Sequence, residues 1–423
     1  MLSRMFGCIA DDFTGATDIG ALLARRGMRV AVFVGLPVGD HMDTKLDAII
    51  IALKSRTIEA ELAVEQSLAA AKWLKEAGAQ SLYFKYCSTF DSTDRGNIGP
   101  VAMALAEFWD EAHVLFNPAF PENGRTVRKG HLYVYGQPIN ETGMAHHPLT
   151  PMRNSNLVDV LGAQLDGQLV GLVDHEVIEK GVESVSRTIL NGPHFQIADT
   201  DADGDLQVIA KAAKELRFAT GGSAFGAAYA GERSAAQTSL AAYFPLPPND
   251  SKTVILAGSC SEATLRQIAA IPDDIPHIRL DAHIVAAQKS HAGRLGAAAQ
   301  TALEEHDSVL ISSSVAANIL KNVQVSLGDA NAGSMIEEAF ADIASALFET
   351  GQRIFIIAGG ETSGAVVERL CANQLLIGPE IAPGVPWCYS PAGGGLWLAL
   401  KSGNFGDDNF FIKARAVLRT PII

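Results

Sequence analysis

Asp11 and Asp12 close a short apolar run, Gly7 to Ala10, and are followed by Thr14, Gly15 and a segment with helical spacing. Near the other end, Phe355 to Ala358 runs into Gly359-Gly360-Glu361-Thr362-Ser363-Gly364 and again into helical spacing. Both stretches read as a strand entering a polar turn that opens a helix, the place where open α/β sheets bind ligands. Adjacent carboxylates repel phosphate, but they accept hydrogen bonds from hydroxyls, and one can act as a general base. Thr14 and the N–H groups beside Gly15 are fit for a carboxylate. Glycines at a helix start instead let backbone N–H groups approach a phosphate. The structural alternatives are Asp12 or Thr14 as a helix N-cap, worth about 1 kcal/mol, and glycines that only cap strands.

Other stretches repeat this contrast. Ala257–Thr264, with Ser259 and Ser261, is a second small-residue junction, and Pro391–Gly406 is a third glycine-rich stretch, carrying Lys401, Gly403 and Asn404. Together they suggest a nucleotide phosphate cradle. GxxxxGK[ST] is absent, so the cradle is not of the Walker type. In the first half, Lys54, Ser55 and Arg56 follow one apolar run, and Lys85 lies in another, ahead of Asp91, Ser92, Arg95 and Asn97. Cations at strand ends can hold an anionic substrate, arginine bidentately. Solubility is the alternative for each alone, but one parallel sheet would bring these ends to one rim.

Some features carry little. Asp199, Asp201, Asp203 and Gly204 match the start of an EF-hand loop, but its twelfth position is Ala210 where a bidentate Glu is required. That stretch reads as a polar loop capping the next helix. His146-His147 has no third ligand nearby in sequence for a structural zinc, and contact of a loop histidine with substrate is left open. Cys87 reads as a small core residue. Gly221–Gly226 spells GxxxxG without a strand before it.

The elements that must position these residues alternate as βα units. Strand-like runs such as FGCIA, RVAVFVG, LDAIIIAL, SLYFKYC and AHVLFNP are separated by amphipathic segments, which predicts a mostly parallel sheet covered by helices. Residues 118–155 are rich in Pro, Gly and Asn and read as a long functional loop. Phe244–Lys252, FPLPPNDSK, reads as a linker, which predicts domains over 1–244 and 252–423. The chain's 423 residues exceed one ordinary core. The net charge of −14 argues against nucleic-acid or anionic-membrane partners, because phosphate repulsion would be unopposed over most of the surface. Five scattered cysteines without CxxC predict free, mostly buried thiols. With no leader-like start and no apolar run of about 18 residues, a cytoplasmic location is expected.

IADDFTGATDIGALL, FKYCSTFDST, GNIGPV, FNPAFPENGRTV, HHPLTPM, AGSCSEAT, AGGETSGAVV and LALKSGNFG resemble the four-carbon acid sugar kinase family, in its 3-oxo-tetronate kinase branch, over nearly the whole chain. The resemblance implies an N-terminal substrate domain, a C-terminal ATP-binding domain and transfer in the cleft between them. It implies that ATP phosphorylates the 4-hydroxyl of 3-oxo-tetronate. Ser259, Gly359–Gly364 and Gly403 would contact ATP, while Asp11, Asp12, Arg56, Lys85 and Asp91 would face the four-carbon acid. Mg²⁺ would bridge the phosphates, with its protein ligands unassigned.

The combined expectation is a two-domain α/β kinase. Asp12, Lys85 and Asp91 are the catalytic candidates. Asp11, Thr14, Arg56 and Arg95 join them on the substrate. Ser259, Ser261, Gly359, Gly360, Glu361, Thr362, Ser363, Gly364, Lys401, Gly403 and Asn404 are the nucleotide candidates. Lys54, Arg56 or Lys85 would neutralise the substrate carboxylate, and a hinge near Pro245–Asn249 would allow closure. The alternatives are a threonate or erythronate kinase of the same family and a non-catalytic two-lobed sugar-acid binder. A nicotinamide oxidoreductase would need GxGxxG after a strand, which neither half has. Homo-oligomerisation is left open.

Overall fold

The computed structural model describes residues 5–37, 46–147, 149–233, 243–288, 290–313 and 329–420. The chain separates into two compact units, Met1–Thr238 and Ser239–Ile423. Each is a sheet flanked by helices.

In the first unit the apolar runs become β1 (Phe6–Ala10), β2 (Val30–Val34), β3 (Ala48–Ala52), β4 (Ser81–Lys85) and β5 (Val114–Asn117). After an intervening hairpin region come β9 (Val170–Val173), β10 (Phe195–Ala198) and β11 (Phe218–Gly221). They lie in the order β2-β3-β1-β4-β11-β5-β10-β9, each neighbouring pair parallel. Helices such as Phe13–Arg25 and Ile98–Trp109 cover the sheet with apolar faces. Strands covered on both faces need no polar alternation, and so β1, β3 and β4 are buried throughout. Register matters most for the site. Ala10 is level with Ala52 and with Lys85, and Lys85 with Gly221, so four junctions open on one rim.

Residues 118–155 are not the structureless loop expected. They contain the antiparallel strands β6 (Arg125–Arg128), β7 (His131–Val134) and β8 (Gln137–Pro138). Gly130 and Gly136 take the positive φ that these tight turns require. The Asp199 carboxylate, at the end of β10, accepts from the Lys129 and Gly130 amides at 2.7 and 2.9 Å and fixes the first turn in place. The EF-hand-like stretch therefore does structural work: Asp199 anchors this hairpin, and Asp205 caps its helix by accepting from the Asp201 and Ala202 amides.

The second unit contains β12 (Thr253–Ala257), β13 (His277–Arg279), β14 (Ser308–Ser312), β15 (Ile354–Ala358), β16 (Gln374–Ala382), β17 (Val385–Ser390) and β18 (Leu396–Lys401). β13-β14-β12-β15-β18 are parallel neighbours, and β17 and β16 extend the sheet antiparallel. Ala257 is level with Ala358, and Ala358 with Lys401. Phe244 is buried in this unit's core, and Trp397 Nε1 donates to the Pro245 carbonyl at 2.7 Å, so the start of the proline-rich segment is pinned to the second unit. Of the five free cysteines only Cys8 and Cys388 are buried, fewer than composition suggested.

Candidate functional site

The β1 junction is built around charges. Asp12 occupies the N-cap position of the helix Phe13–Arg25, with extended backbone (φ −146°, ψ 158°). Its carboxylate accepts from Thr14 Oγ1 at 2.8 Å and from an Arg56 Nη at 2.7 Å. Asp11 takes Arg56 bidentately, at 2.8 Å on both oxygens. Asp91 approaches the other Arg56 nitrogen at 3.6 Å. Arg56 is thus surrounded by three carboxylates, with its Nε and one Nη hydrogen-bonded to Asp11 and Asp12. Its loop is fixed by the Asn97 amide, which donates to the carbonyls of Ser55 and Ile58 at 2.7 and 2.9 Å.

Lys85 differs. The residue is 3% exposed, and its nearest ion pair is with Asp12 at a loose 3.9 Å. Among the described residues its ammonium makes no hydrogen bond, so its donors are unspent. Gly15 is what makes room: a Cβ there would lie 2.2 Å from Asp12 Oδ1 and 2.3 Å from Lys85 Nζ. Burial alone would push the Asp12 carboxyl up, but Arg56 and Lys85, aided by Thr14, outweigh it and hold it at about 2. Burial alone would pull Lys85 down, but Asp12, Asp18 and Asp11 outweigh it and keep the ammonium above the usual lysine range. Both groups are ionised near neutrality.

The loop after β4 adds a relay of hydroxyl and thiol. Cys87 Sγ lies 2.8 Å from Thr89 Oγ1, which donates to Asp91 at 2.5 Å. Cys87 is half-buried at the site rather than in the core, and burial followed by Asp91 pushes its thiol up to about 11, which makes it a poor nucleophile. Phe90, fully buried at φ +57°, turns the chain so that Thr89 and Asp91 meet. Arg95 lines a cavity of about 390 Å³ with Ser92, Asp94, Met152, Arg153 and Asn154. Lys54 is exposed. His147 spends Nδ1 on Thr150, whose Oγ1 lies at 3.0 Å.

Sequence reasoning passed over Gly221–Gly226, and the structure corrects it. β11 does precede this stretch, and Ser223 opens the next helix and donates to Asp18 at 2.5 Å. Asp18, one helical turn beyond Thr14, is the further carboxylate acting on Lys85. The short apolar run Phe218–Thr220 was the signal available.

In the second unit three junctions meet on one rim. The Gly258 and Ser259 amides donate to the Ala358 carbonyl at 2.9 and 3.1 Å, and the Gly359 amide to that of Lys401 at 2.9 Å. Gly359, at φ +133°, needs to be glycine. A Cβ at Gly258 would meet Thr362 Oγ1 at 2.2 Å, and one at Gly403 would meet Ser259 Oγ at 2.3 Å. These glycines bring the junctions together, which leaves ligand contact to backbone N–H groups and hydroxyls. The helices Glu262–Ala269 and Gly360–Arg369 both begin here. Ser261 caps the first, accepting from the Thr264 amide at 3.2 Å, and donates to the Gly403 carbonyl at 2.6 Å. Ser363 Oγ is buried and has no partner among the described residues. Gly364 lies within the second helix, and Glu361 and Asn404 are exposed. Lys401 is wholly buried, its ammonium bonded to Thr264 Oγ1, Ser402 O and Gly403 O. The stretch 391–406 is not one loop: Gly393–Gly395 lie at the β17–β18 turn, a strand's length from Gly403.

Among the described residues no three of His, Cys, Asp and Glu gather as metal donors. No helix there is long and apolar enough to cross a membrane. Residues 6–229 match the model of a sugar-binding N-terminal domain, and residues 254–411 that of a nucleotide-binding C-terminal domain. A Burkholderia multivorans 3-oxo-tetronate kinase is 44% identical over 98% of this chain and 97% of its own length. A Haemophilus influenzae 3-oxo-tetronate kinase is 39% identical over 98% and 100%. Among solved structures, a Haemophilus influenzae protein aligns with a TM-score of 0.85 at 38% identity, over 97% of this chain and 100% of that one. A Salmonella typhimurium structure described as a tRNA synthase gives 0.90 at 37% identity, over 98% and 99%.

Proposed function

This chain belongs to the four-carbon acid sugar kinase family, and from that premise we propose that it transfers the γ-phosphoryl group of ATP to the 4-hydroxyl of a 3-oxo-tetronate. It is a carbohydrate kinase, and its nucleotide-binding domain is the C-terminal one. The acceptor, the position phosphorylated and the residue roles are our reading. We assign 1–244 to the sugar acid and 252–423 to the nucleotide.

One observation carries the reading: a buried lysine with unspent donors stands beside an ionised aspartate across Gly15. Of the three candidate cations, Lys85 suits the substrate carboxylate, because the charge of Arg56 is already more than matched by Asp11, Asp12 and Asp91. Asp12 then accepts the 4-hydroxyl proton. A carboxylate with a pKa of about 2 is a weak base. A loose phosphoryl-transfer transition state needs little base strength and asks mainly for orientation and charge neutralisation. Asp11 and Asp91 act by fixing Arg56.

The second unit fits a polyphosphate through two helix N-termini and the unpartnered Ser363 hydroxyl. Mg²⁺ ordinarily keeps several waters and takes substrate phosphates with one or two carboxylates. It would here be carried by the nucleotide and would neutralise phosphate charge.

The test is ADP release from Mg-ATP with a panel of four-carbon acids, each tetronate alone and after oxidation in situ to its 3-oxo form. Turnover with the 3-oxo acids alone supports the proposal. Turnover with a plain threonate or erythronate moves the chain to a sister activity. Ligand binding without ADP release would leave only a binding protein.

A further inference from the structure

Lys401 is the most unusual charge in the second unit. It is 0% exposed, and no carboxylate pairs with it among the described residues. An ammonium buried without a counter-charge is costly, and proteins seldom keep one without a reason. All its donors are used: Thr264 Oγ1 at 3.1 Å, Ser402 O at 3.1 Å and Gly403 O at 2.8 Å. It therefore has no N–H left for a ligand. The Gly403 carbonyl also receives Ser261 Oγ and Thr264 Oγ1, at 2.6 and 3.0 Å. The side chain thus ties the end of β18 to the first turn of the helix Glu262–Ala269, while its own carbonyl holds the Gly359 amide at 2.9 Å. All three glycine junctions are linked through this one residue.

We infer that Lys401 is a positioning residue for the nucleotide: a strut that sets the junctions in register, with a buried charge that the bound phosphates, rather than a protein carboxylate, balance. This rests on the assignment of the nucleotide to these junctions. Burial pulls the Lys401 ammonium down to about 8. A polyphosphate bound above it raises that value again, so above pH 8 binding must take up a proton, and affinity falls as pH rises. The phosphates themselves are ionised there, their last pKa lying at about 6. The other ionisable groups on the packed elements are Cys260 in the first junction, Glu262 and Arg266 on its helix, Glu361, and Asp407, Asp408 and Lys413. Arg266 pairs with Asp408, and Lys413 with Asp407. Cys260 is the one thiol among these groups, so Cys260→Ser serves as the background.

The experiment is calorimetric binding of Mg-ADP to the full chain at pH 7 and pH 9, in two buffers of different ionisation enthalpy. In Cys260→Ser, proton uptake at pH 9 and affinity about tenfold below that at pH 7 are expected. Lys401→Met should bind roughly tenfold more weakly at pH 7, with no pH trend and no proton uptake. Lys401→Arg, which keeps its charge at pH 9, should retain the pH 7 affinity and lose the alkaline decline. Proton uptake that persists in Lys401→Met, or an alkaline decline that persists in Lys401→Arg, overturns the inference. Gly403→Val, whose Cβ meets Ser259 Oγ, separates the two levels. If it abolishes binding while Lys401→Met binds normally, the strut is refuted and the nucleotide site stands. If it binds normally, the site assignment falls, and the strut with it.

Discussion

Asp12 and Lys85 are adjacent charges with different work. Replacing Asp12 by Asn keeps the shape and removes the proposed proton acceptor, so kcat should fall by a factor on the order of 10² to 10⁴. A correctly folded Asp12→Asn enzyme with near-normal kcat would remove Asp12 from the chemistry. Lys85→Met deletes charge-assisted bonds worth about 1.5–3 kcal/mol each, or roughly 10- to 150-fold in kcat/KM for the sugar acid. KM for ATP should stay put, and steady-state kinetics in each substrate checks both. The depressed Asp12 value also has a sign. Its stabilising contribution is complete above the ordinary value of 3.8 and is lost as pH falls towards about 2. Acid denaturation followed by circular dichroism should therefore show the wild type losing its stability relation to Asp12→Asn within that window, and an equal acid response in both proteins would contradict it.

At the scale of elements, the site is a set of strand ends held level by parallel register. The loops only complete it. Gly15 lies in the first turn of its helix, where a methyl group would displace both Asp12 and Lys85. Gly15→Ala should cost about 1–3 kcal/mol of overpacking and lose sugar-acid turnover while Mg-ADP still binds. Retained turnover would mean that the two charges need not stand this close. Asn97 acts from outside the charge cluster, holding the carbonyls of Ser55 and Ile58. Asn97→Ala leaves buried carbonyls unpaired, at about 1–3 kcal/mol, and frees the Arg56 loop. Both a lower melting temperature and a higher KM for the sugar acid are expected. A lower melting temperature alone would make Asn97 purely structural.

At the scale of the molecule, the proposed reading gives each unit its own ligand on its own sheet rim. Gly403→Val should leave sugar-acid binding by the full chain within about twofold of wild type while nucleotide binding is lost, because its Cβ meets Ser259 Oγ, which is not among the residues assigned to the sugar acid. Calorimetry with each ligand in turn decides it. A joint loss would mean that the two sites are built together. The charge of −14 opposes a polyanionic partner. It also weighs against carrying over the tRNA synthase description of the Salmonella relative.

The amino-acid order alone determined the βα alternation, because buried parallel strands are continuous apolar runs. It also determined the contrast between the Asp-Asp and Gly-Gly junctions, because that contrast lies in residue type. It placed Asp11, Asp12, Arg56, Lys85 and Asp91 among the candidates, but it could not rank the cations. Only the tertiary structure showed Arg56 paired with three carboxylates and Lys85 without a hydrogen bond among the described residues, since partners 44 and 45 residues apart in sequence leave no local pattern. Only the fold divided the stretch 391–406 between two ends of β18, and only burial turned Lys401 from a phosphate ligand into a strut. Hydrogen-bond satisfaction depends on which elements meet, and that is set by packing across the sheet rather than by neighbours along the chain.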